Sequence, residues 1–219
     1  MESKNERIAE ILQKKLIVIV RGLPRQQLRK TAQALYDGGI RFLEITYSAS
    51  GAVTDGQTAE SIAMLTDAFG TSMHIGAGTV LTEEQVRLTR EAGGEFIISP
   101  DTNEAVIRRS VELGLVSIPG ALTPTEIQRA HQAGADFVKL FPAEVVGGVK
   151  MLKALGGPYG NMKFMPTGGI SAQNAAEYLA LPNVLCCGGS WMVPGGLLDA
   201  GDFDAIEALA REAAQIVKK

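Results

Sequence analysis

Short apolar runs recur along the chain at Leu16–Val20, Phe42–Thr46, His74–Gly78, Phe96–Ser99, Val116–Pro119, Phe137–Phe141, Met162–Pro166 and Val184–Gly188. Longer stretches lie between them, with apolar or small residues at helical spacing, as in Leu28, Thr31, Ala32 and Leu35. Short strands alternating with helices of this length predict βαβ units and a parallel sheet. The joints repeat as well. Tyr36-Asp-Gly-Gly39, Glu91-Ala-Gly-Gly94, Glu112-Leu-Gly114 and Gln132-Ala-Gly134 each close a helix on glycine, which supplies a left-handed cap before the next strand. Thr82 with Gln85 and Thr123 with Glu126 have capping-box spacing, and Pro124 falls at a first helical position. About eight strands and eight helices close a barrel rather than fill an open sheet. The predicted fold is therefore α/β, a single (β/α)8 TIM barrel spanning residues 1–219. An extra amphipathic helix, Glu6–Lys15 with Ile8, Ile11 and Leu12 inward, caps its bottom, and Asp202–Lys218 forms the closing helix. The rival, an open doubly wound sheet, lacks its fingerprint. Gly76-Ala-Gly78 follows a strand, but the third glycine of G-x-G-x-x-G would fall at Leu81.

Composition narrows the partners. The 21 basic and 24 acidic side chains give a net charge of −3 and are scattered, with no basic run, so no nucleic-acid partner is expected. No apolar stretch approaches the roughly 18 residues of a membrane span, so no membrane association is expected either. The polar start, Met1–Lys15, lacks the hydrophobic segment of a secretory signal. Cys186 and Cys187 are adjacent within an apolar run and would point to opposite faces of a strand, which disfavours a mutual disulfide. A reducing cytoplasm fits.

Barrel enzymes build their sites at the C-terminal ends of the strands. Those ends carry Arg21, Glu44, Thr46, Thr79, Ser99, Pro100, Pro119, Lys139, Thr167 and Ser190. Lys139, in Phe137-Val-Lys-Leu-Phe141, shares its side of the strand with the two phenylalanines and faces the interior. Desolvation there lowers an ammonium pKa, as a carbonyl-attacking amine requires. Glu44, in Phe42-Leu-Glu-Ile-Thr46, has the same parity and suits proton transfer when burial raises its pKa. The plainer alternative for both is a buried ion pair, which desolvation makes a poor source of stability. Glycines end the last two strands, at Pro166-Thr-Gly-Gly-Ile-Ser171 and Gly188-Gly-Ser-Trp191. The backbone N–H groups of such loops, with a short helix N-terminus, make a phosphate cradle from Gly168, Gly169, Gly189 and Ser190. Tight turns that need glycine for backbone reasons are the alternative. The two histidines, His74 and His131, lack metal-ligand spacing, so no metal site is expected; each is read as a surface or packing residue.

At these residues the chain resembles the 2-keto-3-deoxy-6-phosphogluconate (KDPG) and 4-hydroxy-2-oxoglutarate (KHG) aldolase family, nearly end to end. The strings that carry the resemblance are Gly38-Gly-Ile-Arg-Phe-Leu-Glu-Ile-Thr46, Gly76-Ala-Gly-Thr-Val80, Ile98-Ser-Pro100, Phe137-Val-Lys-Leu-Phe-Pro-Ala-Glu144, Pro166-Thr-Gly-Gly-Ile-Ser171 and Leu185-Cys-Cys-Gly-Gly-Ser-Trp191. The resemblance implies a cytoplasmic homotrimer that uses no metal or organic cofactor. It implies Lys139 as the Schiff-base residue for pyruvate and Glu44 as the acid–base. Thr79 and Thr167 would contact the bound pyruvate or the nascent hydroxyl, Pro100 and Phe141 would line the pocket, and Gly168, Gly169 and Ser190 would hold a distal phosphate. One tract departs. KDPG-cleaving members usually carry Leu-Arg-Thr after the Glu-x-Thr strand, and that Arg helps bind the substrate carboxylate; here the residues are Tyr47-Ser48-Ala49. Arg21, in Ile19-Val-Arg-Gly22, resembles instead the phosphogalactonate-cleaving branch and becomes the candidate carboxylate ligand.

The expected activity is reversible cleavage of a 2-keto-3-deoxy sugar acid, 6-phosphorylated, to pyruvate and an aldehyde such as glyceraldehyde 3-phosphate. The alternatives are an aldolase for 4-hydroxy-2-oxoglutarate or another nonphosphorylated 2-oxo acid, a phosphosugar epimerase or isomerase on the same barrel, and a silent barrel that only binds a phosphorylated metabolite.

Overall fold

In a computed structural model, which describes residues 3–217, the predicted alternation of strand and helix is realised. The first half of the chain forms α1 (Lys4–Lys14), β1 (Leu16–Val20), α2 (Arg25–Asp37), β2 (Phe42–Thr46), α3 (Asp55–Phe69), β3 (His74–Gly78), α4 (Glu83–Glu91), β4 (Phe96–Ile98) and α5 (Glu104–Glu112). The second half forms β5 (Val116–Ile118), β6 (Gly120–Ala121), α6 (Pro124–Gln132), β7 (Val138–Leu140), α7 (Gly148–Leu155), β8 (Phe164–Pro166), α8 (Ala175–Leu179), β9 (Cys187–Gly189), α9 (Gly195–Ala200) and α10 (Phe203–Ile216). All strand pairs are parallel. Six strands run in the order β5-β4-β3-β2-β1-β9 and three in the order β6-β7-β8. Only Pro119 separates β5 from β6, and its carbonyl accepts the Lys139 N–H at 2.8 Å. A proline has no N–H to give a ladder, so the run breaks there while staying extended. Single bridges, Phe164 to Val184 and Thr167 to Gly188, connect the three-stranded sheet towards β9.

Side-chain alternation sorts the core into two layers. Ile17, Phe42, Phe96, Ile98, Val116 and Phe137 cluster on one side of the strands; Val18, Leu43, Ile45, Val138 and Leu140 pack on the other, beneath the helices. Cys186 and Cys187 fall in different layers and are free thiols, as their adjacency predicts. The glycine joints behave as expected: Gly39, Gly93, Gly114 and Gly134 all have positive φ.

Several boundaries move. The N-terminal helix starts and ends earlier than Glu6–Lys15, because Ser3 caps it in a capping box with Glu6 and Lys15 takes a left-handed conformation. Ile11 is fully buried against the strand layer, but Leu12 is 41 % exposed and does not face inward as predicted. Thr82 caps Gln85, yet no complete box forms, since the Gln85 side chain accepts from the Leu81 N–H and donates to Asp55. The late strands are trimmed to three residues, which leaves Phe141 outside β7 and 41 % exposed rather than interior beside Phe137. The closing helix is capped by Asp202 and ends at Ile216; Lys218 lies outside the described residues. No helix among the described residues is long and apolar enough to cross a membrane.

Candidate active site

β2 and β7 each set one ionisable side chain among apolar neighbours. Val138 and Leu140 lie in the helix-facing layer, so Lys139 between them points the other way and is buried, its Nζ 4.9 Å from the centre of the Phe141 ring. Burial lowers its pKa; the Arg21 charge lowers it further, while Glu44 opposes the shift. Glu44 is buried too. Burial raises its pKa, against the charges of Lys139 and Arg21. Burial thus disfavours the charged form of both groups.

Room for that carboxyl comes from glycine. Glu44 pairs in register with Gly76 and Thr46 with Gly78, and a Cβ on Gly78 would overlap the Glu44 carboxylate. A Cβ on Gly76 would strike the Phe96 ring. The incomplete dinucleotide-like string is therefore a packing device that lets Glu44 and Phe96 lie flat across β3. Thr79, the next residue, holds φ +55°, an unusual conformation for a β-branched side chain.

Three polar atoms here, Glu44 Oε2, Thr46 Oγ1 and Thr167 Oγ1, are buried without a hydrogen-bond partner. Each unmade bond costs about 1–3 kcal/mol, which a bound water or a ligand would offset. Thr46 received no role from the sequence beyond its strand-end position; the available signal was its parity with Glu44.

Two cavities open beside these groups. One, of about 280 Å³, is lined by Arg21, Phe141, Thr167, Gly168, Gly169, Gly189 and Ser190. The other, of about 420 Å³, is lined by Arg21, Thr46, Ser48, Thr58, Ser61 and Thr79 among others. Arg21 is exposed and belongs to both walls; Lys139, Glu44 and Pro100 line neither. Gly168 and Gly169 have φ of 89° and 81°, and a Cβ on Gly189 would enter the Trp191 ring. Backbone and packing thus demand these glycines independently of any ligand. The helix that follows the first loop, α8, has only five residues and so offers that end of the fold no long helix dipole.

A family model described as KDPG and KHG aldolase matches residues 8–209. The chain belongs to that family. The 2-dehydro-3-deoxy-phosphogluconate aldolase of Treponema pallidum is 45 % identical over 186 residues, 85 % of each chain. The KHG/KDPG aldolase of Escherichia coli K12 is 43 % identical over 187 residues, 85 % of this chain and 84 % of that one. A KDPG aldolase structure from Legionella pneumophila, with pyruvate captured at low pH as a covalent carbinolamine intermediate, superposes with a TM-score of 0.85. Its identity is 32 %, over 94 % of this chain and 97 % of that one.

The remaining sequence candidates lie apart from this end of the aldolase fold. His131 is exposed on α6. His74 sits at the opposite, N-terminal end of β3, buried rather than on the surface, stacked on Phe42 and paired with Glu10 and Glu95. No group of His, Cys, Asp and Glu among the described residues is placed to hold a metal ion.

Proposed function

We propose that this enzyme is a class I, Schiff-base aldolase that reversibly cleaves a 2-keto-3-deoxy sugar acid, 6-phosphorylated, to pyruvate and an aldehyde such as glyceraldehyde 3-phosphate. The observation that carries the reading is the buried Lys139, its ammonium disfavoured by burial, with the Glu44 carboxyl also buried nearby. The neutral Lys139 amine adds to the C2 ketone, and loss of water from the carbinolamine gives an iminium. With the C4 hydroxyl proton removed, the C3–C4 bond breaks, its electrons pass to the iminium as an enamine, and the aldehyde leaves. Protonation at C3 and hydrolysis then release pyruvate and regenerate the amine. Glu44 carries the protons, as an acid whose pKa burial moves towards neutrality can. Arg21 holds the C1 carboxylate from the rim shared by the two cavities, Thr79 and Thr167 contact the pyruvate unit, and Pro100 and Phe141 shape the pocket. The N–H groups around Gly168, Gly169, Gly189 and Ser190 receive the distal phosphate.

Borohydride reduction in the presence of pyruvate tests this. A covalent adduct is expected at Lys139, located by peptide mass; an adduct on another lysine, or none, rejects the assignment. A nonphosphorylated 4-hydroxy-2-oxo acid is the second candidate substrate, favoured by the KHG/KDPG name of the Escherichia coli relative and by glycines that the backbone requires in any case.

The architecture we propose for this enzyme is one domain, residues 1–219. The two parallel sheets are arcs of a single (β/α)8 barrel, joined through Pro119 and the two bridges, with α1 as its cap. Ile11 in the strand-facing core and the Arg7 hydrogen bond to the Gly114 carbonyl, at 2.9 Å, support the cap. Assembly as a homotrimer follows from the resemblance to the family, and the two free thiols suit a cytoplasmic setting.

A further inference from the structure

The loop from Thr167 to Asn174 joins β8 to α8, and Thr167, Gly168, Gly169 and Ile170 line the cavity of about 280 Å³. Two carbonyls of this loop are already engaged. The Glu144 N–H donates to the Gly168 carbonyl at 3.1 Å, and Asn174 Nδ2 donates to the Gly169 carbonyl at 2.8 Å. The peptides that carry these carbonyls are trans. In a planar trans peptide the N–H points opposite to the C=O. Holding each carbonyl therefore sets the direction of the next N–H, that of Gly169 in the first case and that of Ile170 in the second. Neither N–H has a hydrogen-bond partner among the described residues.

Asn174 stands at the N-cap of α8. An asparagine there ordinarily accepts from an N–H of the first helical turn, but this one makes no cap hydrogen bond. Its side chain turns back on the loop instead. While Nδ2 donates to the Gly169 carbonyl, Oδ1 accepts the Ser171 N–H at 2.9 Å. The partners fix the orientation of the amide, since exchanging its two ends would set carbonyl against carbonyl and N–H against N–H. Asn174 itself lines neither cavity, so any effect it has on a ligand passes through the loop.

We propose that Asn174 is a positioning residue for the distal phosphate: by binding the Gly169 carbonyl it aims the Ile170 N–H, beside that of Gly169, as a donor to the phosphate oxygens. This role rests on the phosphate reading given above and adds to it a further donor and the side chain that sets its direction. Successive peptide N–H groups held in such a turn make an anion-binding concavity. Donors of this kind serve a substrate best when their directions are fixed before it arrives.

Two variants separate the bonds. Asn174→Ala removes both, whereas Asn174→Asp keeps an acceptor for the Ser171 N–H and loses the donor to Gly169. In both, KM for a 6-phosphorylated substrate should rise roughly tenfold or more, as for a weakened hydrogen bond to a charged group. The turnover number should move far less, since the lost contact serves binding rather than the reacting bonds. KM for an aldol with an uncharged distal end, and formation of the borohydride-trapped pyruvate adduct at Lys139, should match the wild type. A KM for the phosphorylated substrate that stays unchanged in either variant overturns the proposal, because Asp adds a charge of its own and Ala also loses the Ser171 bond. An equal rise for the uncharged aldol, or loss of the folded state in either variant, makes Asn174 a structural residue and overturns it too. If the wild type shows no preference for the phosphorylated over the uncharged substrate, the phosphate reading falls and this role with it.

Discussion

Glu44 and Lys139 are each an ionisable residue set in a short apolar strand, and burial dominates the pKa shift of both. The acid is raised and the amine lowered, which brings their ionisation ranges closer, as the proposed proton transfers by Glu44 require. Glu44→Gln keeps the size of the side chain and its place beside Gly78 but cannot carry out those transfers. The variant should fold and still form the borohydride-trapped pyruvate adduct, while kcat for cleavage falls about 100-fold or more. Steady-state kinetics beside the trapping assay check this; undiminished cleavage would give the proton transfers to another group. Isolated polar residues in apolar runs are legible without a structure, because the cost of burying them is a local property. The glycines at 76 and 78 are not. Their need arises only where β3 lies against Glu44 and Phe96.

Among the elements, α1 is fixed at two depths. Ile11 enters the core, and Glu10 reaches His74, which Glu95 engages from the other ring nitrogen. Burial alone would lower the His74 pKa, but the hydrogen bonds and charges of Glu95 and Glu10 outweigh it and leave the pKa raised above 6.5. An imidazolium favoured by the fold contributes stability that is fully present below the ordinary histidine value. That contribution is lost as pH rises through the higher folded-state value. The melting temperature should therefore decline over the window that begins near 6.5 and runs upward, and His74→Gln should flatten that part of the profile; thermal melts across pH check it. A profile unchanged by the substitution would assign the pH dependence elsewhere. From the sequence His74 read as a surface or packing residue, since its partners stand 64 and 21 residues away.

For the whole molecule, the proposed site draws on five strands, with Arg21 after β1, Glu44 and Thr46 on β2, Lys139 on β7, Thr167 after β8 and Ser190 after β9; of these, Arg21, Thr167 and Ser190 share the wall of one cavity. If Arg21 orients the donor carboxylate, Arg21→Ala should raise KM by roughly tenfold for every 2-oxo acid, as for loss of a charged hydrogen bond, and spare ketones without a carboxylate. An equal loss with simple ketones would tie Arg21 to the Glu44 and Lys139 charges instead. If the glycine-lined cavity receives phosphate, Ser190→Asp should raise KM for a 6-phosphorylated substrate at least about tenfold through like-charge repulsion. Cleavage of an aldol with an uncharged distal end should change little, and similar damage to both substrates would favour the nonphosphorylated reading.

Taken alone, the sequence determined the alternation of strand and helix, the glycine joints, the opposite facing of the two cysteines and the two ionisable residues in apolar strands. Each of these rests on local periodicity or on one residue's solvation cost. Only the tertiary structure decided that Leu12 and Phe141 are exposed, that Gln85 reaches Asp55 instead of completing a cap, and that Pro119 divides a strand. It alone left Thr46 and Thr167 without partners and set two cavities against one arginine. These depend on which distant segments come into contact, and a pattern read along one chain holds no record of the neighbours that packing supplies.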